Sequence, residues 1–206
     1  MAPAVFEIIR VSLNLQPPAT WLNDLTKSSM RDPSRDHVYR AYGFLYKRTG
    51  EFVWVNAYKS ASDYVSLDSP TRAEFASILR EYSSSVPGVS AFELADGLPD
   101  DKVIYAPFHE LSDLPFKKNL TIQEITDLLN PKFGLENEVR GIVGAAWSFD
   151  VKNDHKVVIF SSWKSIEDYE DAITNHKEIF REIVKNIREN LETPYEVYAT
   201  ELTWVA

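Results

Sequence analysis

The sequence predicts an α+β chain built from two tandem β-α-β-β-α-β repeats, and three observations carry that expectation. The chain repeats itself: "AYKSASDYVSLDSPTRAEF" from Ala57 and "SWKSIEDYEDAITNHKEIF" from Ser162 align at a constant offset of 105. Lys59 falls on Lys164, Ser60 on Ser165, Asp63 on Asp168, Tyr64 on Tyr169, Phe75 on Phe180 and Ile78 on Ile183, a register too long to arise by chance. Segments of strand and helix period follow in the same order in both halves. And 206 residues suit two small units of about 100 residues each.

Each element has its own local reason. "VFEIIRVSL" is rich in β-branched residues and reads as a first strand. "PPATWLNDLTKSS" opens with prolines, whose missing N–H is harmless in a first helical turn. "VYRAYGFLYKR" and "EFVWVNAYKS" read as strands joined at Thr49-Gly50, a hairpin signal. The segment from Ser60 to Ser85 carries Phe75, Ile78, Leu79 and Tyr82 at helical spacing, and "VSAFELAD" closes the half as a fourth strand. The second half repeats the plan: strand "KVIYAPFHEL", helix "TIQEITDLLNPKF", strand "VRGIVGAAWSFDV", turn "KNDH", strand "KVVIFSSW", one long helix from Ser165 to Asn190, strand "YEVYATELTWV". Thr121 with Glu124 and Ser165 with Asp168 have capping-box spacing. The seam is "DGLPDD", which gives repeats at 1–97 and 102–206 with a linker at 98–101.

Composition bounds the function. Hydrophobics at 44% and aromatics at 13% mark a globular chain. No apolar run approaches the roughly 20 residues needed to span a bilayer, and the N-terminal segment lacks a basic region ahead of an apolar core. With 22 Lys and Arg against 31 Asp and Glu, the net charge is -9. That repels phosphate backbones and anionic lipid, so neither nucleic acid nor membrane is an expected partner. The absence of cysteine excludes disulfides, thiolate nucleophiles and zinc-thiolate sites and suits a cytoplasmic location. The four histidines show no paired metal-ligand spacing, "GIVG" at Gly141–Gly144 sits in a strand pattern and marks close packing or a bend, and no Gly-x-Ser-x-Gly elbow exists. No metal and no organic cofactor is expected.

A single β-α-β-β-α-β unit, the ferredoxin-like or split βαβ motif, carries its helices on one sheet face and leaves the other to be covered. Both alternating sets of "FVWVNAY" and of "VVIFSSW" contain large apolar residues, so both faces of each sheet expect burial. The economical arrangement packs the two repeats sheet to sheet as an α+β barrel within one chain, a monomeric pseudo-dimer that could also form a homodimer.

"SSWKSIEDYEDAITNHKEIF" resembles the strand-to-helix motif of the dimeric α/β-barrel superfamily, in particular its antibiotic-biosynthesis-monooxygenase-like members. There a strand ending in Trp-x-Ser leads into a helix bearing Ser-Pro-His-His-x-x-Phe or similar, and "SPTRAEF" at Ser69–Phe75 is similar to that motif without its histidines. The resemblance implies the intramolecular barrel. It also implies one of several activities: cofactor-free oxygenation of aromatic polyketides, polyketide cyclisation, haem degradation, lactone isomerisation or a stress-related role. Haem-degrading relatives use a histidine about one turn before His176, where this chain has Ile173. In relatives the ligand lies between a sheet and its own helices, on the face to which the motif's Trp points.

By alternation that face carries Trp163, Ser161 and Ile159 in the second half and Tyr58, Asn56 and Trp54 in the first. These are the candidate substrate-binding residues; read blandly, the aromatics are core mass. His176, on the covering helix, and His109, in "YAPFHEL", are the candidate catalytic acid/bases, since imidazole titrates near neutral pH and Thr71, the counterpart of His176, does not. Read blandly, His176 is a surface residue in polar "TNHKE" and His109 a satisfied core histidine, while His37 and His155 fall in solvated turns. The expected function is a cofactor-independent small-molecule enzyme of secondary metabolism, a monooxygenase or cyclase acting on an aromatic or polyketide-like substrate. The alternative is a non-catalytic small-ligand-binding or stress-responsive barrel.

Overall fold

The computed structural model describes residues 4–14, 17–31, 37–94, 99–130, 139–175 and 177–205. In chain order the elements are β1 (Ala4–Ser12), α1 (Ala19–Met30), β2 (His37–Phe44), β3 (Glu51–Tyr58), a 3-10 turn (Pro70–Arg72), α2 (Ala73–Glu81), β4 (Gly88–Leu94), α3 (Asp101–Ile104), β5 (Phe108–Pro115), α4 (Ile122–Leu129), β6 (Ile142–Asp150), β7 (Asn153–Trp163), α5 (Ile166–Asn175), α6 (Lys177–Glu189), β8 (Glu196–Thr200) and β9 (Thr203–Trp204). They form two compact units, Met1–Leu98 with Glu201–Ala206, and Pro99–Thr200. The division falls between Leu98 and Pro99, and the last six residues go with the first unit.

In the first unit the strand order is β4-β1-β3-β2-β9, with antiparallel neighbours. Directly opposed residues in such a ladder share a face. Ile9 opposes Trp54 and Val11 opposes Phe52, and these four pack with Trp21 and Leu25 of α1 and with Phe75, Ala76 and Leu79 of α2. The Trp21 indole N–H donates to the Ile78 carbonyl at 2.8 Å, so the largest side chain of α1 is buried with its polar atom satisfied. The helix expected from Ser60 onward begins only at Pro70. Proline can open a helix but not sit inside one, and Ser69 before it is extended (φ -65°, ψ 141°) with its hydroxyl accepting from the Thr71 N–H.

The second unit has the same strand order, β8-β5-β7-β6, again antiparallel. Leu114, Phe116, Val157 and Ile159 face Ile125 and Leu129 of α4, Ile187 of α6 and Leu191. The capping box at Thr121 is complete, and the Thr121 backbone N–H holds the Glu124 carboxyl below its ordinary range. Two expectations are corrected. Residues 101–104 are a helical turn and not the start of a strand, because Pro107 has no N–H for a ladder and biases the residue before it away from helix, so β5 begins at Phe108. The expected turn 152–155 is shorter: the Asp150 carboxylate accepts from the Lys152 N–H at 2.9 Å and β7 starts at Asn153. The helix expected from Ser165 to Asn190 is described over Ile166–Asn175 (α5) and Lys177–Glu189 (α6), and position 176 between them lies outside the described residues.

Gly141 and Gly144 are packing positions. Gly141 has φ +90°, and a Cβ there would run into the Asp168 side chain; a Cβ on Gly144 would lie 2.6 Å from Val103 Cγ2. Among the described residues no helix is long and apolar enough to cross a membrane.

Candidate functional site

The two units place a polar step at the same register position on the helix-facing side of the sheet. In the first unit Glu7 opposes Asn56 and Val5 opposes Tyr58. In the second, Glu110 opposes Ser161 and Phe108 opposes Trp163. Each step is flanked by a matching aromatic pair: Tyr58 meets Tyr64 edge-on with centroids 5.5 Å apart, and Trp163 meets Tyr169 edge-on at 5.4 Å.

The first-unit step is closed, with both oxygens of its carboxylate hydrogen-bonded. Glu7, Asn56, Tyr58, Trp54 and Arg72 are all buried. The Trp54 indole N–H donates to Asn56 Oδ1 at 2.8 Å, Asn56 Nδ2 donates to Glu7 Oε2 at 2.8 Å, and the Tyr58 hydroxyl donates to the same oxygen at 3.2 Å. Arg72 Nη1 stands 2.8 Å from both Glu7 oxygens and 2.8 Å from the Val65 carbonyl, with its guanidinium carbon 5.2 Å from the centre of the Phe75 ring. A buried carboxylate is tolerable only when it is paired and hydrogen-bonded, and this one is both.

The second-unit step is more open. Glu110 is half-buried, and among the described residues its carboxylate accepts one side-chain hydrogen bond, from the Ser112 hydroxyl at 2.9 Å. Ser161 accepts from the Trp163 indole N–H at 3.2 Å. Phe108, Trp163 and Tyr169 form an aromatic wall, with the Phe108 and Tyr169 centroids 5.2 Å apart. The arrangement offers a carboxylate and a hydroxyl beside rings, the elements of a small-molecule site.

Trp54, Asn56 and Tyr58 therefore come together on one face, as do Ser161 and Trp163 on the corresponding face of the second unit. His109 does not join them. It opposes Ser162 and Thr200 on the other face of β5, where it is wholly buried and its ring lies 4.9 Å from that of Phe160. Its Nε2 faces the Ile104 carbonyl at 3.0 Å and the Val103 carbonyl at 3.3 Å; both are acceptors, so Nε2 carries the hydrogen of a neutral ring. Burial pushes its pKa down to about 4, against the two carbonyl contacts. The Ser162 hydroxyl also donates to the Val103 carbonyl, at 2.6 Å, so His109 and Ser162 together anchor α3. His176 lies outside the described residues. Ile173 is half-exposed on α5 and has no donor for iron, and among the described residues no cluster of three or more acidic or imidazole groups could hold a metal ion.

The sequence reading passed over Glu7, Arg72, Glu110 and Ser112. Alternation held the missing signal for the first of them: Glu7 shares its set with Ile9 and Val11 in "VFEIIRV", so a charge stood on the face assigned to the core.

No protein-family model matches the sequence, and no curated protein matches it. Solved structures do match its fold. An anthrone oxidase-like protein has a TM-score of 0.68 at 10% identity, covering 97% of this chain and 91% of its own. A provisionally assigned monooxygenase from Fusobacterium nucleatum has a TM-score of 0.64 at 10% identity, covering 99% and 94%. A provisionally assigned chlorite dismutase has a TM-score of 0.59 at 10% identity, covering 98% and 96%. At this identity the likeness shows the fold, and the different names leave the reaction to be argued from the site.

Proposed function

We propose that this chain, which has the fold of the dimeric α/β-barrel superfamily, is a small-molecule enzyme of the cofactor-independent monooxygenase or cyclase kind. Its aromatic, polyketide-like substrate would sit in the second unit. One observation carries the reading: Glu110 is half-buried above buried Ser161, Trp163, Phe108 and Tyr169, whereas Glu7 of the first-unit step is wholly buried and paired with Arg72.

The chemistry follows from those groups. A ring stacked on Trp163 presents a phenolic O–H or an activated C–H to a base, either Glu110 or His176. The base takes the proton, and the electron pair stays on the substrate as a phenolate or carbanion. That anion attacks a carbonyl of its own chain in a cyclisation, or passes electrons to dioxygen. In the latter case a methylene becomes a carbonyl, one oxygen atom is retained and the other leaves as water. Ser161 orients the substrate by hydrogen bonding. His109 has no part in this reading; its ring is committed to α3 on the opposite face.

The test is turnover of phenolic tricycles, anthrones first, followed by dioxygen uptake and product mass. Wild-type protein should convert substrate with no added metal or cofactor, Trp163→Leu should raise KM, and Glu110→Gln or His176→Ala should lower kcat. Ligand binding with no turnover by wild-type protein would overturn the enzyme reading and leave a ligand-binding barrel.

A further inference from the structure

We propose that residues 59–69 are a lid over the polar step of the first unit and that Arg72 is its latch. The lid lifts as one piece when the guanidinium leaves Glu7, baring Glu7, Asn56 and Tyr58 while the sheet stays folded. This device lies within the first unit and is independent of the second-unit reading.

The internal repeat sets the segment apart. At the offset of 105, residues 59–69 match 164–174, where the Ser165 hydroxyl accepts from the Asp168 N–H at 3.1 Å and opens α5. In the first unit the Ser60 hydroxyl donates instead to the Asp63 carboxylate at 2.6 Å. Val65, Ser66, Asp68 and Ser69 are poor helix formers, and Pro70 disfavours a helix running into it. The chain between β3 and Pro70 is accordingly neither helix nor strand. It closes local turns, in which the Asp63, Tyr64 and Ser69 N–H groups donate to the Ser60, Ala61 and Ser66 carbonyls.

The ties from this segment to the rest of the unit converge on the step. Tyr64 meets Tyr58 edge-on, and Leu67, 3% exposed, joins the core cluster of Trp54, Phe75 and Leu79. Arg72 Nη1 donates at 2.8 Å both to the Val65 carbonyl of the lid and to the Glu7 carboxylate of the sheet. The Asp68–Arg80 pair at 3.0 Å is exposed, and such pairs add little. Arg72 thus fastens lid to sheet. Neither Glu7 nor Arg72 tolerates burial without the other, so the latch has two states: both charges paired under the lid, or both in water with the lid raised. Segments bonded through local turns open below the free energy of global unfolding.

Thiol labelling tests this, because the chain has no cysteine and one introduced thiol reports its own site. Leu67→Cys places it in the lid and Ala57→Cys in β3, where Ala57 is 0% exposed. Each labelling rate is compared with the same variant's global unfolding in urea. In native buffer the lid thiol should react with an aromatic disulfide about 100-fold faster than the β3 thiol, with a shallower urea dependence. Arg72→Lys keeps a cation for Glu7 but loses the fork that reaches Val65, and should speed the lid thiol about tenfold. Equal rates with equal urea dependence would mean that the lid moves only when the unit unfolds, and would overturn the proposal. A lid thiol as reactive as one in an unstructured peptide would overturn it too, since nothing would then be closed. A lid thiol indifferent to Arg72→Lys would overturn the latch.

Discussion

Arg72 and Glu7 form a salt bridge removed from water: Nη1 lies 2.8 Å from the carboxylate, and the two side chains are 1% and 0% exposed. Taking away one partner leaves the other charge buried. Arg72→Met should therefore cost about 3–5 kcal/mol, while Arg72→Met with Glu7→Gln should cost much less, since neutral groups of similar size carry no such penalty. Urea denaturation of the two variants checks this; equal losses would mean that the pair is not coupled.

His109 makes stability depend on pH in a known direction. Its pKa falls from 6.5 in the open chain to about 4 in the fold, so between those values the unfolded chain binds more protons. Stability from this group is fully present above about pH 6.5, declines as pH falls toward 4 and then levels off, a loss of about 3 kcal/mol. Denaturation midpoints of wild-type and His109→Asn protein from pH 3.5 to 7.5 test it. The wild type should show the steeper acid loss across that window; parallel profiles would contradict it.

Gly141 and Gly144 have no room for a methyl group. Gly141→Ala combines a positive φ with a clash against Asp168, and Gly144→Ala drives a methyl into Val103. Each should cost about 1–3 kcal/mol. Thermal unfolding of the two alanine variants is the measurement, and unchanged melting temperatures would refute the packing role.

The last strand belongs to the first unit's sheet. Trp204 opposes Ala41, Thr203 opposes Tyr42, the Val205 N–H donates to the Arg40 carbonyl at 2.9 Å, and the Trp204 ring meets that of Tyr39 edge-on at 6.1 Å. Ending the chain at Thr200 uncovers the edge of β2, and exposed edges promote association. The truncated protein should unfold at lower temperature and aggregate by light scattering; identical behaviour to the full chain would show that β9 is dispensable.

The shared face of Trp54, Asn56 and Tyr58 was legible in the sequence, but their partners were not. Alternation placed Trp54, Asn56 and Tyr58 together because a strand's period is two whatever surrounds it. The offset of 105 that aligns Asn56 with Ser161 would align Glu7 with Ser112, yet the ladder matches Glu7 to Glu110. A two-residue slip keeps parity, so the pattern of apolar residues gave no warning. The ion pair was hidden for another reason: 65 positions separate Glu7 from Arg72, and Arg72 lies in a stretch whose helical spacing reads equally well with its side chain in solvent.

A crystal structure of the protein soaked with an anthrone tests the central claim most directly. The account places the ligand's ring against Trp163 and its donor on Glu110, once per chain, with Arg72 still seated on Glu7. Ligand at the Glu7 step with Arg72 displaced, or a ligand that touches neither Glu110 nor Trp163, would contradict it.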